Sequence, residues 1–294
     1  MSNSKNKILN GKVIKGVGGM FTVFSGERTY RVVARKKLKD YAIMVGDYCT
    51  FSLDGRVGCI ETILTRKNSL VRPPIANIDR VFIVTAPEPS PDLSLIDKII
   101  VNCIYQNIDY VIVVNKSELA SCEFIQKINQ NYKEIASIIY ASCYNNQIDE
   151  LFKSAQGGVS CFAGQSGVGK TSLINALVGH SVGLTGELSA RIMRGKNTTR
   201  YASIINFEQI QLVDTSGFSL LDIDESTVKS SELMTYYPDF SEHARQCKFS
   251  TCTHTAEPDC MVKQAVSQNI ICQGRYERYV ELYKQLCQKE KDKY

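Results

Sequence analysis

Over the first seventy residues the apolar positions come in short runs, many of them alternating with polar ones: KVIKGVGG, MFTVFSG, RTYRVVA, GDYCTFSLDG and VGCIETIL, separated largely by Gly-containing turns. Five strands at about ten-residue spacing predict a small β-barrel, of the OB type. After Val71 the pattern changes. DRVFIVTA and DYVIVVN are β-branched runs of the fully buried kind. Between them DLSLIDKIIVNCIYQN places Ile96, Ile99, Ile100, Cys103 and Ile104 at helical spacing. The alternation continues through IASIIYAS, GGVSCFAG with KTSLINALVG, and FEQIQLVDTSG. That order predicts an α/β domain with a mostly parallel sheet. Beyond about Glu225 a Cys/His-containing stretch precedes GRYERYVELYKQLCQK, where Tyr276, Tyr279, Val280, Tyr283, Leu286 and Cys287 form one apolar stripe of a helix. Three domains are expected: a barrel over 1–70, an α/β domain over 71–225 and an α-rich segment over 226–294.

Composition narrows the class. The chain has 294 residues, 44% hydrophobic and 22% charged, as in ordinary globular proteins. Its N-terminus, MSNSKNKILNGKV, lacks the apolar stretch of a signal peptide, and no run approaches the ~18 apolar residues of a membrane span. The reading is a cytoplasmic protein, taken to be a monomer and without a membrane partner. Its eleven cysteines are then core thiols and metal ligands rather than disulfides. Charge is uneven. Residues 1–72 carry 14 Lys and Arg against 5 Asp and Glu, a net of +9, whereas residues 73–225 carry 11 against 16. A basic front end suits a polyanion such as RNA. Phe21, Phe24, Tyr30, Tyr48 and Phe51, interleaved with Arg28, Arg31, Arg35, Lys36, Lys37 and Lys39, are candidates for base stacking and phosphate contact, although at least half of these aromatics are expected to fill the barrel.

The strongest chemical signal is Gly164-Gln165-Ser166-Gly167-Val168-Gly169-Lys170-Thr171-Ser172, between a buried strand and a helix. Glycines there let backbone N–H groups wrap a phosphate, a lysine neutralises β- and γ-oxygens, and the Thr171 hydroxyl ligates Mg²⁺. Asp214-Thr215-Ser216-Gly217 follows the strand IQLV. There Asp214 would reach Mg²⁺ through water, and the Gly217 N–H would lie near the γ-phosphate. In RGKNTTR, Thr198 and Thr199 offer hydroxyls that could close on the same ion.

Asn115-Lys116-Ser117-Glu118 ends a buried strand, where open α/β sheets hold nucleotides. A carboxylate there accepts both N–H groups of guanine's Watson–Crick edge. The next strand ends in Ala141-Ser142-Cys143, placed to touch guanine O6. In a GTPase of ordinary chain order the phosphate loop precedes these loops; here it follows them by about fifty residues. Closing such a chain into a ring and reopening it before its fourth strand produces this order, so a circular permutation is expected. The cofactors are GTP or GDP with Mg²⁺. Glu118, one methylene longer than the usual Asp, leaves an ATP-using P-loop enzyme as an alternative.

Cys247-x4-Cys252-x-His254-x5-Cys260 supplies three thiolates and an imidazole, a full tetrahedral Zn²⁺ set without an open position. The expected zinc is structural.

With these motifs assembled, the chain resembles the bacterial small-ribosomal-subunit biogenesis GTPase A family. The likeness is carried by TRKNSLVRPPIANIDRVFIV, NKSEL, AGQSGVGKTSLINAL, RGKNTTR, LVDTSGF, CKFSTCTHTAEPDCMVKQAV and RYERYVELY. The resemblance implies slow GTP hydrolysis, stimulated by the small ribosomal subunit late in its maturation, with contacts to its rRNA. It also implies a His that helps to position the attacking water where Asn197 stands, and a Pro where Ser216 stands. Phe218 agrees with the family's apolar residue at the position of the Ras-like glutamine. Asn197 and Phe218 leave a second reading, an RNA-binding scaffold that holds guanine nucleotide with negligible hydrolysis.

Overall fold

The computed structural model describes residues 8–38, 40–54, 57–70, 74–181, 203–207, 209–214 and 228–292. Asn197, Thr198, Thr199, Ser216, Gly217 and Phe218 lie outside the described residues, as does Lys39. The chain forms two compact units, each drawn from separated stretches. One comprises Met1–Val81, Ile148–Phe162 and Thr171–Ser219; the other comprises Phe82–Gln147, Ala163–Lys170 and Leu220–Tyr294.

In the first unit, β1 (Ile8–Val17), β2 (Met20–Ser25), β3 (Arg28–Ala34), β4 (Tyr48–Asp54) and β5 (Val57–Ile63) close a barrel in the ring order β1-β2-β3-β5-β4 and back to β1. All neighbours are antiparallel except β3 and β5. Alternation along the strands sends Val13, Val23, Val32, Cys49, Phe51 and Ile60 into an apolar core. Of the expected stacking aromatics, Phe51 is fully buried and Phe21 and Tyr30 pack against this core, whereas Tyr48 stays exposed. β1 begins at Ile8, earlier than the apolar pattern implied. Its first half pairs with β4 from Ile8↔Ser52 to Lys12↔Tyr48. Gly11 belongs to that stretch because a Cβ there would lie 2.3 Å from Val23 Cγ1. A register shift between Val13 and Lys15 then turns the strand.

A short pair, β6 (Ser69–Leu70) with β7 (Ile75–Ala76), follows the barrel. The same unit holds β11 (Val159–Ala163) as far as Phe162, and the hairpin β12 (Ser203–Asn206) with β13 (Gln211–Asp214). β11 and β13 are parallel, with Cys161 beside Val213. β12 meets barrel strand β1 at Ser203↔Lys15. The order β11-β13-β12-β1 therefore runs into the barrel without a break.

The second unit carries most of β8 (Arg80–Thr85), with β9 (Asp109–Val114) and β10 (Ser137–Tyr140) in the order β10-β9-β8. Helix α1 (Leu93–Tyr105) lies between β8 and β9 in the chain. Its Ile96, Ile99, Ile100 and Cys103 are buried, as the spacing predicted. Asp92 caps it, accepting from Leu95 N at 2.9 Å. Helix α2 (Cys122–Tyr132) is capped likewise by Ser121. Two further helices are α3 (Asp149–Ala155) in the first unit and α4 (Lys170–Ser181), which opens after the glycine-rich loop. The C-terminal part is a 3-10 segment (Ser230–Tyr236) with α5 (Pro238–Ala244), α6 (Met261–Ser267) and α7 (Gln273–Lys291). Tyr237, Phe240, Val262, Tyr279, Leu282 and Leu286 pack there in one cluster that includes Val101 of α1.

A buried ionic network ties α7 to α1. Asp97 of α1 accepts from Arg275 Nη1 at 2.7 Å and from Arg278 Nε at 2.5 Å. Arg275 also donates to Asp239 at 2.7 Å and lies 4.7 Å from the Tyr237 ring centroid. Arg278 donates to Asn131 Oδ1 at 2.9 Å. Two carboxylates against two guanidinium groups make the set neutral. Burial of this kind is tolerated only while every partner is present. Asp97→Ala would leave buried Arg275 with Asp239 alone and take from half-buried Arg278 its carboxylate partner, and is expected to cost about 3–5 kcal/mol, read as a lowered urea midpoint for this unit.

Candidate nucleotide loops and metal cluster

Buried strand β11 delivers the glycine-rich loop, and its glycines answer to contacts. Gly164 has φ +133°, and a Cβ on it would lie 2.2 Å from the Val84 carbonyl oxygen. Gly169 has φ +92°, and its Cβ would lie 2.3 Å from Asn115 Nδ2. Any side chain at these two points collides with the adjoining loop or strand. Lys170, half-buried at the start of α4, donates through Nζ to the carbonyls of Gly164 and Gln165, each at 2.7 Å. Burial lowers its pKa. Gln165 Oε1 accepts from Asp92 N at 3.2 Å, Ser166 is exposed, and Val168 is buried. Thr171 and Ser172, in the first turn of α4, face solvent.

The 115–118 loop is fastened to this one. Asn115, 3% exposed, donates through Nδ2 to the Val168 carbonyl at 2.8 Å. Its Oδ1 is buried without a hydrogen-bond partner among the described residues, an acceptor left open for a ligand. Lys116 sits in the left-handed region at φ 55° and donates through Nζ to Gly167 O at 3.0 Å and Glu88 O at 2.7 Å. Ser117 N donates to Ala141 O at 3.1 Å, which brings in the third loop. Ser142, fully buried, exchanges backbone hydrogen bonds with Gln147 and takes Asn145 N on its hydroxyl at 3.0 Å. Glu118 is exposed, and the Cys143 thiol is pushed up first by burial and then by the charge of Glu118. The candidate phosphate, base and O6 loops thus meet in one unit, and Asp214 closes β13 in the other.

The four C-terminal ligand candidates also meet. Cys247, Cys252, His254 and Cys260 bring one ligand atom each to within 4.8 Å of one another. Cys247 Sγ lies 3.9 Å from Cys260 Sγ, and His254 Nδ1 lies 3.6 Å from Cys247 Sγ and 3.3 Å from Cys260 Sγ. Tetrahedral edges around a zinc-sized ion with sulfur and nitrogen ligands are about 3.5–3.8 Å, so the cluster fits one. His254 adopts φ 57°, an uncommon conformation for a side-chain-bearing residue. Neighbours hold it there. Tyr276 and Tyr279 of α7 donate their hydroxyls to the carbonyls of His254 and Thr253, both at 2.8 Å. Glu257 accepts from Thr253 N at 2.7 Å, Thr253 Oγ1 at 2.6 Å and Thr255 N at 3.0 Å. Burial alone would raise that carboxyl; these hydrogen bonds overcome it and hold its pKa at about 2.

Sequence reasoning had placed Tyr276 and Tyr279 only in an apolar stripe and had passed over Glu257. A carboxylate three residues after the His and two tyrosines one helical turn apart were the available signals. Among the cysteines outside the cluster, Cys59 and Cys272 are half-buried rather than core thiols, and the Cys272 thiol donates to Asn131 Oδ1 at 3.4 Å.

The family described as RsgA GTPase matches residues 63–224. The chain belongs to that family. It is accordingly a GTP-hydrolysing enzyme, and guanine nucleotide with Mg²⁺ is what the family implies for its loops. The small ribosomal subunit biogenesis GTPase RsgA of Alkaliphilus metalliredigens is 37% identical over 281 residues, covering 92% of this chain and 96% of that protein. The protein of that name from Clostridium beijerinckii is 36% identical over 294 residues, covering 97% and 100%. Among solved structures, YjeQ from Thermotoga maritima superposes with a TM-score of 0.81 at 32% identity, over 96% of this chain and 99% of that one. YloQ, described as a circularly permuted GTPase, superposes with a TM-score of 0.77 at 27% identity, over 98% of both. The expected permuted GTPase fold, with its barrel in front, is the fold found.

Two substitutions probe these contacts. Gly169→Ala is expected to push Asn115 off Val168 and weaken GTP binding about 10-fold or more, the cost of an unmade buried hydrogen bond, measured by equilibrium titration with fluorescent nucleotide. Glu257→Ala releases the turn that carries His254 and should lower metal affinity about 10–100-fold, measured by competition with a chromophoric chelator.

Proposed function

We propose that this chain is a GTP-driven switch that binds the small ribosomal subunit late in its maturation, with hydrolysis accelerated by the subunit. The observation that supports it most directly is the fastening of Asn115 and Lys116 to the carbonyls of Val168 and Gly167. This contact brings a base-reading loop and a phosphate loop together despite the permuted chain order. The curated relatives carry small-subunit biogenesis in their names.

In this reading Lys170 leaves the Gly164 and Gln165 carbonyls to hold β- and γ-oxygens, while the backbone from Gln165 to Gly169 supplies N–H donors. Asn115, Lys116, Ser117 and Glu118 hold the base from one side, and Ala141 and Ser142 meet guanine O6. Thr171, Asp214 and, from the 191–200 segment, Thr198 or Thr199 form a hard oxygen set of the kind Mg²⁺ takes. Mg²⁺, when bound with nucleotide, neutralises charge that develops on the phosphates. Asn197 lacks the basicity of the family's His but can still hydrogen-bond the attacking water through its amide, while the Gly217 N–H serves the γ-phosphate. The Cys247, Cys252, His254 and Cys260 cluster holds one structural Zn²⁺. Exposed Arg28, Arg31, Arg35, Lys36 and Lys37, together with Lys39, are the proposed rRNA contacts. The domains are 1–70, 71–225 and 226–294, and the protein works in the cytoplasm as a monomer. Among the described residues no helix is long and apolar enough to cross a membrane.

The test is GTP turnover titrated with purified small subunits. Turnover should rise with subunit concentration, and Lys170→Ala should abolish tight GTP binding while leaving the melting curve in place. A turnover rate indifferent to subunits, in protein shown to be loaded with GTP, would remove the ribosomal reading.

A further inference from the structure

The barrel contains a lysine in a place that stability does not explain. Lys12 of β1 is 8% exposed. Its Nζ donates to Gln211 Oε1 at 3.1 Å and lies 5.0 Å from the centroid of the Tyr48 ring. Among the described residues no carboxylate comes within ion-pair distance of it, although its charge helps to lower the pKa of Asp79 from further off; an ammonium so buried is costly, and a Met would fill the same space without a charge to desolvate. What the ammonium supplies is a directed bond to one acceptor, and Gln211 is the first residue of β13, a strand only four residues long. Its last residue is Asp214.

The register extends the argument. Ser203 of β12 stands opposite Asp214, and Lys15 of β1 stands opposite Ser203. One rung of the sheet therefore runs from the barrel through β12 to the backbone of Asp214, and the Lys12 bond fixes the other end of β13. The approach to β13 is pinned too: Gln156 Nε2 donates to Gln209 Oε1 at 2.7 Å, and Gln156 bridges to Ile210. With β11 in parallel register on its far side, β13 has little freedom to slide along its axis.

We propose that Lys12 of the barrel is a positioning residue for Asp214, setting the depth at which β13 presents its last residue to the Mg²⁺ of a bound guanine nucleotide. This rests on the role given to Asp214 above. It makes the barrel part of the nucleotide machinery as well as a surface for RNA.

The experiment measures binding, not turnover. Affinity for a fluorescent GDP is followed as Mg²⁺ is titrated, and again with the ion chelated. Lys12→Met is expected to raise the Mg²⁺ midpoint about 10-fold, the lower range for loss of a residue that orients a metal-side ligand. Affinity in chelator should stay at the wild-type value. Gln211→Leu removes the same bond from the other end and should match it. The double variant should be no worse than either single one, since both delete one interaction, and Lys12→Arg should restore the wild-type midpoint. A purely structural Lys12 would lower the melting temperature and leave the midpoint unmoved. That result in both Lys12→Met and Gln211→Leu would overturn the proposal. Asp214→Asn separates the two layers. A midpoint unmoved in that variant would overturn the Asp214 reading and this proposal with it, whereas a shift there with none in the Lys12 and Gln211 variants would overturn this proposal alone.

Discussion

Two hydrogen bonds, from Asn115 Nδ2 to Val168 O and from Lys116 Nζ to Gly167 O, carry the constraint on which the site depends. They join segments that the permuted chain order keeps about fifty residues apart, and they explain demands on residues that otherwise look unrelated. Gly169 must be glycine because Asn115 occupies the space of its Cβ. Lys116 must accept a left-handed backbone so that its ammonium can reach both the Glu88 and Gly167 carbonyls. A GTPase can tolerate a relocated break in its chain only if contacts of this kind, made by side chain to backbone, are independent of which peptide bonds connect them.

The second organising contact is ionic. Asp97 on α1 and Asp239 on α5 hold Arg275, and Asp97 also holds Arg278, so α7 is anchored to a helix of the α/β part by charge as well as by apolar packing. Apolar packing is non-directional and permits sliding; a bidentate guanidinium does not. Beside those arginines, in the first two turns of α7, the Tyr276 and Tyr279 hydroxyls secure the turn carrying His254. One helix thereby serves as the reference for both α1 and the metal cluster.

Much of this was legible in the sequence because it rests on local rules. Alternation marked the barrel strands, helical spacing marked α1 and α7, and Gly164 to Thr171 carried its chemistry in its spacing. What escaped depends on distant partners. The early start of β1 at Ile8 follows from pairing with β4, which no local pattern around Asn10 and Gly11 encodes. The role of Glu257 depends on Thr253 and Thr255 turning their donors inward, and Tyr276 and Tyr279 read as stripe residues because a phenol is both apolar and a donor. Asp97 lies 178 and 181 residues before Arg275 and Arg278, and periodicity does not say which buried charges will meet.

The closed ring of the barrel has a bearing on how the protein is made. Every strand of the ring is present once β5 has left the ribosome, since β2, β3, β4 and β5 all end at or before Ile63. The pairing of Lys15 with Ser203 must wait for a segment synthesised much later. During translation the barrel can thus complete its own hydrogen bonding first, consistent with the N-to-C folding of domains. The edge of β1 near Lys15 then serves as a preformed template onto which the last strands of the nucleotide sheet are laid.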